Sequence, residues 1–378
     1  MSLCFCLFNA GTRSWYTHVW LVTPVVSWHP TTDYHNALKK YGYNPKPIVT
    51  GPISNGTGSV VANPTRLDRE YRAPVIVGKN TLLLNFDTTH DELWVFTKGT
   101  EGLGAHNVYD TRTGNQLTGY TWSLNYGDGG NVRGLVYKDK VEVGGAVVFG
   151  QTVEAAQYAS PSVTYNMEGD GALGLALSSN NQIHPIPQNN FFENVKGSLK
   201  EPLFAVSLKH HRPGTYDFSF TDPTKYIGEI DFTSVNTDRG LWQFMTDEYC
   251  VRDCGDFARG MGFSAVLDSA ISLIIVNHEV VTNYYSFIPD AHFSGAVGGI
   301  VFPCNIDPPD LIIKIGNYAA TVSGEYIKYA ELGDGYCFGG IQSDNGYGIN
   351  ILGSIFFKGS YIVFANDKKP LLGFAAQA

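Results

Sequence analysis

The sequence predicts a β-dominated protein built as two related halves, on three observations. The chain of 378 residues is 43% hydrophobic but only 16% charged, and is rich in Gly (42), Tyr (22) and Phe (22). That mixture suits many short, half-buried strands better than long helices. Apolar runs of strand length, bounded by polar residues and turn signals such as Gly127-Asp128-Gly129, recur at 81–86, 92–96, 121–126, 134–143 and 203–208. Third, one distinctive stretch occurs twice. Residues 82–96 read LLLNFDTTHDELWVF and residues 263–276 read FSAVLDSAISLIIV. Each has an apolar run, an acid (Asp87 or Asp268), small polar residues and a second apolar run. Each is followed at a similar distance by an apolar-apolar-Gly step, at 172–174 and 351–353. Self-similarity of this kind indicates a duplicated architecture, and the length leaves room for two lobes.

An acid between two buried strands is costly unless it is paired, hydrogen-bonded or used in chemistry. In an isolated hairpin the ordinary reading is a turn-capping aspartate; the repetition favours chemistry. Two half-chains, each offering one acid from an equivalent loop, can bring the carboxylates together at a pseudo-twofold axis. Carboxylates in contact cannot both ionise at neutral pH, so they share a proton. One acts as base toward a water while the other donates to a carbonyl oxygen.

Several further segments, in order, carry a resemblance: YTWSLNYGDGGNVRGLVYKDKVEVGG, GALGLALSS, FFENVKGSLKEPLFAVSL, GTYDFSFTDPTKYIGEI, GGIVFPC, CFGGIQS and the terminal LLGFAAQA. With the two acid-bearing stretches they cover roughly residues 71–378. The chain resembles the pepsin-like aspartic endopeptidases, most closely the secreted fungal enzymes similar to penicillopepsin and endothiapepsin. The resemblance implies an all-β, bilobal acid-protease fold with a few short helices and a cleft between pseudo-twofold-related lobes. It implies an N-terminal segment with a propeptide remnant over 1–54, a first lobe over 55–228 carrying Asp87 and the flap, and a second over 229–378 carrying Asp268. Asp87 and Asp268 match the catalytic pair. Tyr126, Gly127 and Asp128 match the tip of the substrate-closing flap, with the Tyr126 phenol hydrogen-bonded to Trp94. Asp128 there is typical of fungal members that accept Lys beside the scissile bond. Thr88 and Ser269 match the hydroxyls that cross-link the two loops. Lys40 and Tyr41 match a propeptide pair that plugs the cleft, and Cys304 and Cys337 match the second lobe's disulfide. The implied substrate is an extended peptide or protein, met by a secreted monomer that needs no cofactor and no metal.

Bulk properties agree with these expectations. A net charge of −9 and a pI near 5.5, with no Lys/Arg cluster, argue against a nucleic-acid partner. No stretch approaches the uninterrupted apolar length of a membrane helix. Secretion rests on resemblance, because the apolar stretch at 3–8 is short, no Lys or Arg precedes it and no convincing cleavage site follows. Residues 29–43 read as a short helix, and 44–64 as a Pro/Gly/Asn/Thr-rich linker holding the sequon Asn55-Gly56-Thr57. The mature protein is expected to start near Asn55. Helices are expected at 190–199 and 279–285. Residues 217–232 should carry the chain between lobes with no linker, so that the lobes share a continuous sheet. Cys250 and Cys254 fall where the fungal pattern has no cysteine and read equally as a small-loop disulfide or as two thiols. One Cys-x-x-x-Cys alone makes a poor metal site.

The active loops depart from the family's Asp-Thr-Gly-Ser/Thr. Here they read Asp87-Thr88-Thr89-His90 and Asp268-Ser269-Ala270-Ile271. Both glycines, which let the backbone approach the carboxylates and donate N–H bonds, are replaced. A shift of about 1 Å there costs on the order of a hundredfold in rate. His90 can offer an N–H to Asp87 where the family has a hydroxyl; Ile271 offers nothing. Three readings follow: an aspartic endopeptidase of reduced rate; a pepsin-like homologue reused to bind or transform a small molecule in a fungal specialised-metabolite pathway, with Asp87, Asp268 and His90 as acid–base groups; and a purely binding or structural role.

Overall fold

The computed structural model describes residues 57–378 except 128, 178–180, 253 and 255–258. The expected helix at 29–43, Lys40, Tyr41, Asn55 and Asp128 lie outside the described residues. Strands dominate what is described, with a few short helices, as a bilobal pepsin-like fold requires. Every apolar run named above falls in a strand: Asn80–Asp87, Leu93–Val95, Asn115–Asn125, Asn131–Val143 and Leu203–Lys209. Strand Tyr71–Val77 shows the simplest logic, its side chains alternating between buried and half-buried along the pleat.

The two halves share one sheet of fourteen strands. The C-terminal strands Ser360–Asn366 and Pro370–Gln377 form an antiparallel pair, and the first of them pairs with Leu203–Lys209, matching Leu203 to Ala365 and Val206 to Ile362. Strand Tyr226–Ser234, which leaves the first half, pairs with Pro370–Gln377. The crossing at 217–232 therefore proceeds through the shared sheet without a free linker.

The repeated sequence feature folds the same way twice. Strand Asn80–Asp87 runs parallel to Gly171–Gly174, with Asp87 opposite Gly174, and Leu93–Val95 returns antiparallel on the other side. In the second half Ser264–Leu267 runs parallel to Asn350–Leu352, and Ile274–Val276 returns antiparallel. The glycine ending each apolar-apolar-Gly step sits where the acid-bearing loop crosses. A Cβ on Gly174 would lie 2.5 Å from the His90 carbonyl oxygen, and one on Gly353 would lie 2.5 Å from that of Ile271. Any larger residue would push the loop away.

The expected helices form. Phe191–Val195 is capped by Asn190, whose side chain accepts from the Glu193 N–H, and a 3-10 turn Lys196–Ser198 follows. His278–Tyr285 is capped by Asn277, which accepts from the Val280 N–H. Cys304 bonds Cys337, and Cys250 bonds Cys254, which closes the alternative left open by the sequence. No helix among the described residues is long and apolar enough to cross a membrane.

A buried ion network ties Asp68 to His210, His211 and Lys358, residues far apart in the sequence. Asp68, fully buried, meets the Lys358 ammonium at 3.0 Å, His210 Nδ1 at 2.8 Å and the His211 N–H at 3.0 Å. Burial alone would raise the Asp68 carboxyl, but the His210 hydrogen bond and the Lys358 charge outweigh it and hold it well below the carboxylate range. Asp68, His210 and His211 bring three possible metal ligands within 4.8 Å of one another. However, both imidazole Nδ1 atoms are engaged on Asp68, and Lys358 already supplies the positive charge, so the cluster is an ion-pair network. Leu67 and Asp68 both hold left-handed backbone, a strain this network offsets. Lys358→Met strands a buried carboxylate and is expected to cost about 3–5 kcal/mol in urea unfolding; a loss under about 1 kcal/mol would show that the network contributes little.

Candidate active site

Asp87 ends its strand and Asp268 follows directly after Leu267, so each acid stands where a buried strand breaks into a loop. The loops are joined through two hydroxyls. Thr88 Oγ1 donates to the Leu267 carbonyl at 2.9 Å and accepts from the Ser269 N–H at 3.0 Å. Ser269 Oγ donates to the Phe86 carbonyl at 2.6 Å and accepts from the Thr88 N–H at 3.3 Å. All of these atoms are buried, and the arrangement is nearly symmetric about the line between the loops.

The carboxyls themselves are brought within reach of one hydroxyl. Thr89 Oγ1 lies 2.8 Å from Asp87 Oδ1 and 3.1 Å from Asp268 Oδ2. The replaced glycines have not cost the backbone its approach. The Thr89 N–H donates to Asp87 Oδ1 at 2.9 Å, and the Ala270 N–H donates to Asp268 Oδ1 at 3.0 Å. Neither Thr89 nor Ala270 is among the residues with left-handed backbone, so a Cβ is accommodated without strain. The His90 N–H also reaches Asp87 Oδ1, at 3.1 Å, while its Nδ1 lies 2.9 Å from Asp87 Oδ2. Either the imidazolium or the Nδ1–H tautomer makes that last contact. Ile271 is buried, its carbonyl accepting from the Ser354 N–H.

Above the acids, the hairpin of Asn115–Asn125 and Asn131–Val143 turns at Tyr126 and Gly127. The Tyr126 N–H donates to the Gly130 carbonyl and its own carbonyl accepts from Gly129. Gly129 has φ +86°, a backbone that favours glycine, and open space around it. Surrounding protein pushes the Tyr126 phenol well above its ordinary range, helped by the negative charges of Asp87, Glu92 and Glu70, so it stays an O–H. The Tyr126 ring packs on the cluster of Trp94, Phe96 and Trp122. The Trp94 indole faces the Tyr126 phenol closely enough to offset part of the phenol's rise, although the indole nitrogen makes no full hydrogen bond. Ring contacts with Phe96 and Trp122 hold the indole.

Two residues escaped the sequence reading. Tyr216 is fully buried, packed on Phe86 at 4.6 Å, and its phenol is raised first by burial and then by Asp87 and Asp268. Nothing local in GTYDFSF marks it. Glu154 lies opposite Trp94 in the parallel pairing and is 2% exposed. Burial, then the charges of Glu92 and Asp91, raise its carboxyl well above the ordinary range, and Oε2 has no hydrogen-bond partner. An acid inside the apolar strand TVEAA was the available signal.

Two acids on equivalent loops of a duplicated β architecture, with the hairpin turning at Tyr126 close by, point to the aspartic peptidase class. The chain belongs to the eukaryotic aspartyl protease family, whose sequence profile matches residues 70–377. It is 44% identical over 351 residues to penicillopepsin-1 of Talaromyces stipitatus, covering 93% of this chain and 89% of that protein. It is 43% identical over 353 residues to aspergillopepsin-1 of Aspergillus oryzae, with the same coverage. Against penicillopepsin-1 of Penicillium janthinellum it is 44% identical over 326 residues, 85% of this chain and 99% of that protein.

Two predictions concern this region. Thr88→Val leaves the buried Leu267 carbonyl and Ser269 N–H without their partner, and is expected to lower stability by about 1–3 kcal/mol in thermal or urea melts. A neutral effect would mean the loops are held by other contacts. The second is a pH effect. Because the folded Glu154 keeps its proton to higher pH than the unfolded chain does, stability falls as pH rises above the ordinary carboxylate range of about 4.3. Glu154→Gln should therefore match the parent near pH 3 and exceed its stability near pH 7 by about 1 kcal/mol or more. Equal stability at both pH values would overturn this assignment.

Proposed function

We propose that the chain is an acid-working aspartic endopeptidase in which Asp87 and Asp268 activate a water against a peptide carbonyl. The observation that carries this reading is the bridging contact: both carboxyls lie within hydrogen-bonding distance of the single atom Thr89 Oγ1. Both acids thus face one small space, and the proposed chemistry runs with a single proton held between them. The ionised member takes a proton from the attacking water as the oxygen–carbon bond forms, and the protonated member donates to the carbonyl oxygen. Collapse of the tetrahedral adduct breaks the carbon–nitrogen bond, and the leaving amine takes up a proton from the pair. No covalent enzyme intermediate is formed.

Thr88 and Ser269 hold the acids in register, and Tyr126 with Gly127 and Asp128 closes over an extended substrate. Trp94 supports Tyr126 from below, and His90 orients Asp87. Residues 55–228 and 229–378 serve as the two lobes, and Lys40 and Tyr41 act as a cleft plug until the N-terminal segment is removed. The two disulfides support secretion, since such bonds persist in oxidising compartments. The His90–Asp87 contact favours a second reading, in which the same groups do acid–base chemistry on a small molecule.

The test is cleavage of a denatured protein by the full-length chain from about pH 3 to about pH 7, with and without a statine-type inhibitor. We expect acid-dependent, inhibitor-sensitive cleavage, loss of the N-terminal segment, and a fall of about a thousandfold or more in Asp87→Asn. A folded chain that cleaves nothing at any pH and keeps its N-terminal segment would overturn the peptidase reading and favour the second one.

A further inference from the structure

The replacement of glycine by Thr89 has a consequence unlike the one its bulk suggests. Its backbone stays out of the left-handed region, and its hydroxyl enters the space between the acids, 2.8 Å from Asp87 Oδ1 and 3.1 Å from Asp268 Oδ2. A nucleophile activated by this pair must give its proton to one carboxyl while the other serves the carbonyl oxygen, so it must contact both from that same space. Thr89 is 8% exposed, and its β-branched side chain is stiff at χ1. The Thr89 N–H also donates to Asp87 Oδ1, at 2.9 Å, which fixes the base of the side chain beside the carboxyl it contacts. A hydroxyl carries one proton, so it donates in full to one carboxyl, and when the other carboxyl is protonated that group can donate back to Oγ1. That is the singly protonated state from which hydrolysis starts. The side chain therefore competes with water in the protonation state the reaction needs.

Resting on the peptidase reading above, we infer that Thr89 is a gating residue whose hydroxyl must turn aside before a water, or the hydroxyl of a transition-state mimic, can enter between Asp87 and Asp268. Thr89 forms no bond to substrate. It lowers turnover by occupying the space, and leaves binding of the extended chain along the cleft unchanged.

The test compares full-length Thr89→Gly, Thr89→Ala and Thr89→Ser with the parent, using a peptide substrate and calorimetric binding of a statine-type inhibitor, whose secondary hydroxyl mimics the adduct. Thr89→Gly and Thr89→Ala should raise kcat about tenfold with little change in KM, and tighten statine binding about tenfold. Thr89→Ser, which keeps the hydroxyl, should stay closer to the parent in both. The two variants without a hydroxyl guard against one of them failing to fold. Statine binding that is no tighter in the folded variants would overturn the gate. So would loss of cleavage in Thr89→Gly and Thr89→Ala with retention in Thr89→Ser, which would make the hydroxyl a participant. If the gate fails while the parent still cleaves in an Asp87-dependent way, the peptidase reading stands. If no variant cleaves yet Thr89→Gly gains statine affinity, the gate stands and the peptidase reading falls.

Discussion

The exchange of hydrogen bonds between Thr88 and Ser269 is the constraint on which the rest of the site depends. Each hydroxyl donates to a carbonyl of the opposite half, and each accepts the other loop's N–H. In net terms each bond contributes about 1 kcal/mol, but any one left unmet in this buried place costs about 1–3 kcal/mol. The penalty for a loop out of register is therefore larger than the gain from any single contact, and this makes the carboxyl separation specific. The shared sheet sets the halves near each other to the accuracy of strand pairing, and the four bonds set the final placement of the acids. Gly174 and Gly353 complete the constraint by letting a strand pass directly against each loop.

Buried acids around this frame meet opposite fates, and the balance of donors against desolvation decides each case. Asp68 is surrounded by Lys358, His210 and the His211 N–H, and these outweigh burial. Its contribution is present above the ordinary carboxylate range and is lost as pH falls below it. Glu154 has like charges nearby in Glu92 and Asp91, with only the Leu93 N–H in its favour, so burial wins and the group stays protonated. Asp91, also buried, has its Oδ1 accepting from the Asn190 amide at 2.7 Å, the same residue that caps the helix Phe191–Val195. Asp68 and Glu154, on different elements, thus contribute to stability on opposite sides of the carboxylate range.

The doubled strand–acid–strand stretch and its trailing glycine were legible because the whole motif is local, and its apolar runs must be buried on any fold. The helices capped by Asn190 and Asn277 were legible for the same reason. Asp68, His210 and Lys358 were not, since each is ordinary in its own neighbourhood and only the shared sheet brings them together. The pairing of Cys250 with Cys254 required the hairpin geometry. The loop reading went astray at one point. The missing glycines suggested that the backbone N–H groups would be held away from the acids, yet Thr89 and Ala270 both keep those bonds, because neither position needs a left-handed backbone. What changed is what the side chain places in front of the carboxyls.

That change breaks a symmetry the backbone preserves. The two loops repeat each other in strand direction, in the hydroxyl cross-link and in the glycine behind them, but Thr89 and His90 stand opposite Ala270 and Ile271. Asp87 receives the Thr89 hydroxyl, two N–H groups and His90 Nδ1, whereas Asp268 meets that same hydroxyl and the Ala270 N–H, the side chains of Ala270 and Ile271 having no donor to offer. Donors aimed at a carboxyl favour its charged form. Under the peptidase reading proposed above, that asymmetry favours Asp87 as the member that takes the proton of the attacking water. A symmetric scaffold supplies the distance, and two adjacent side chains on one loop supply the direction.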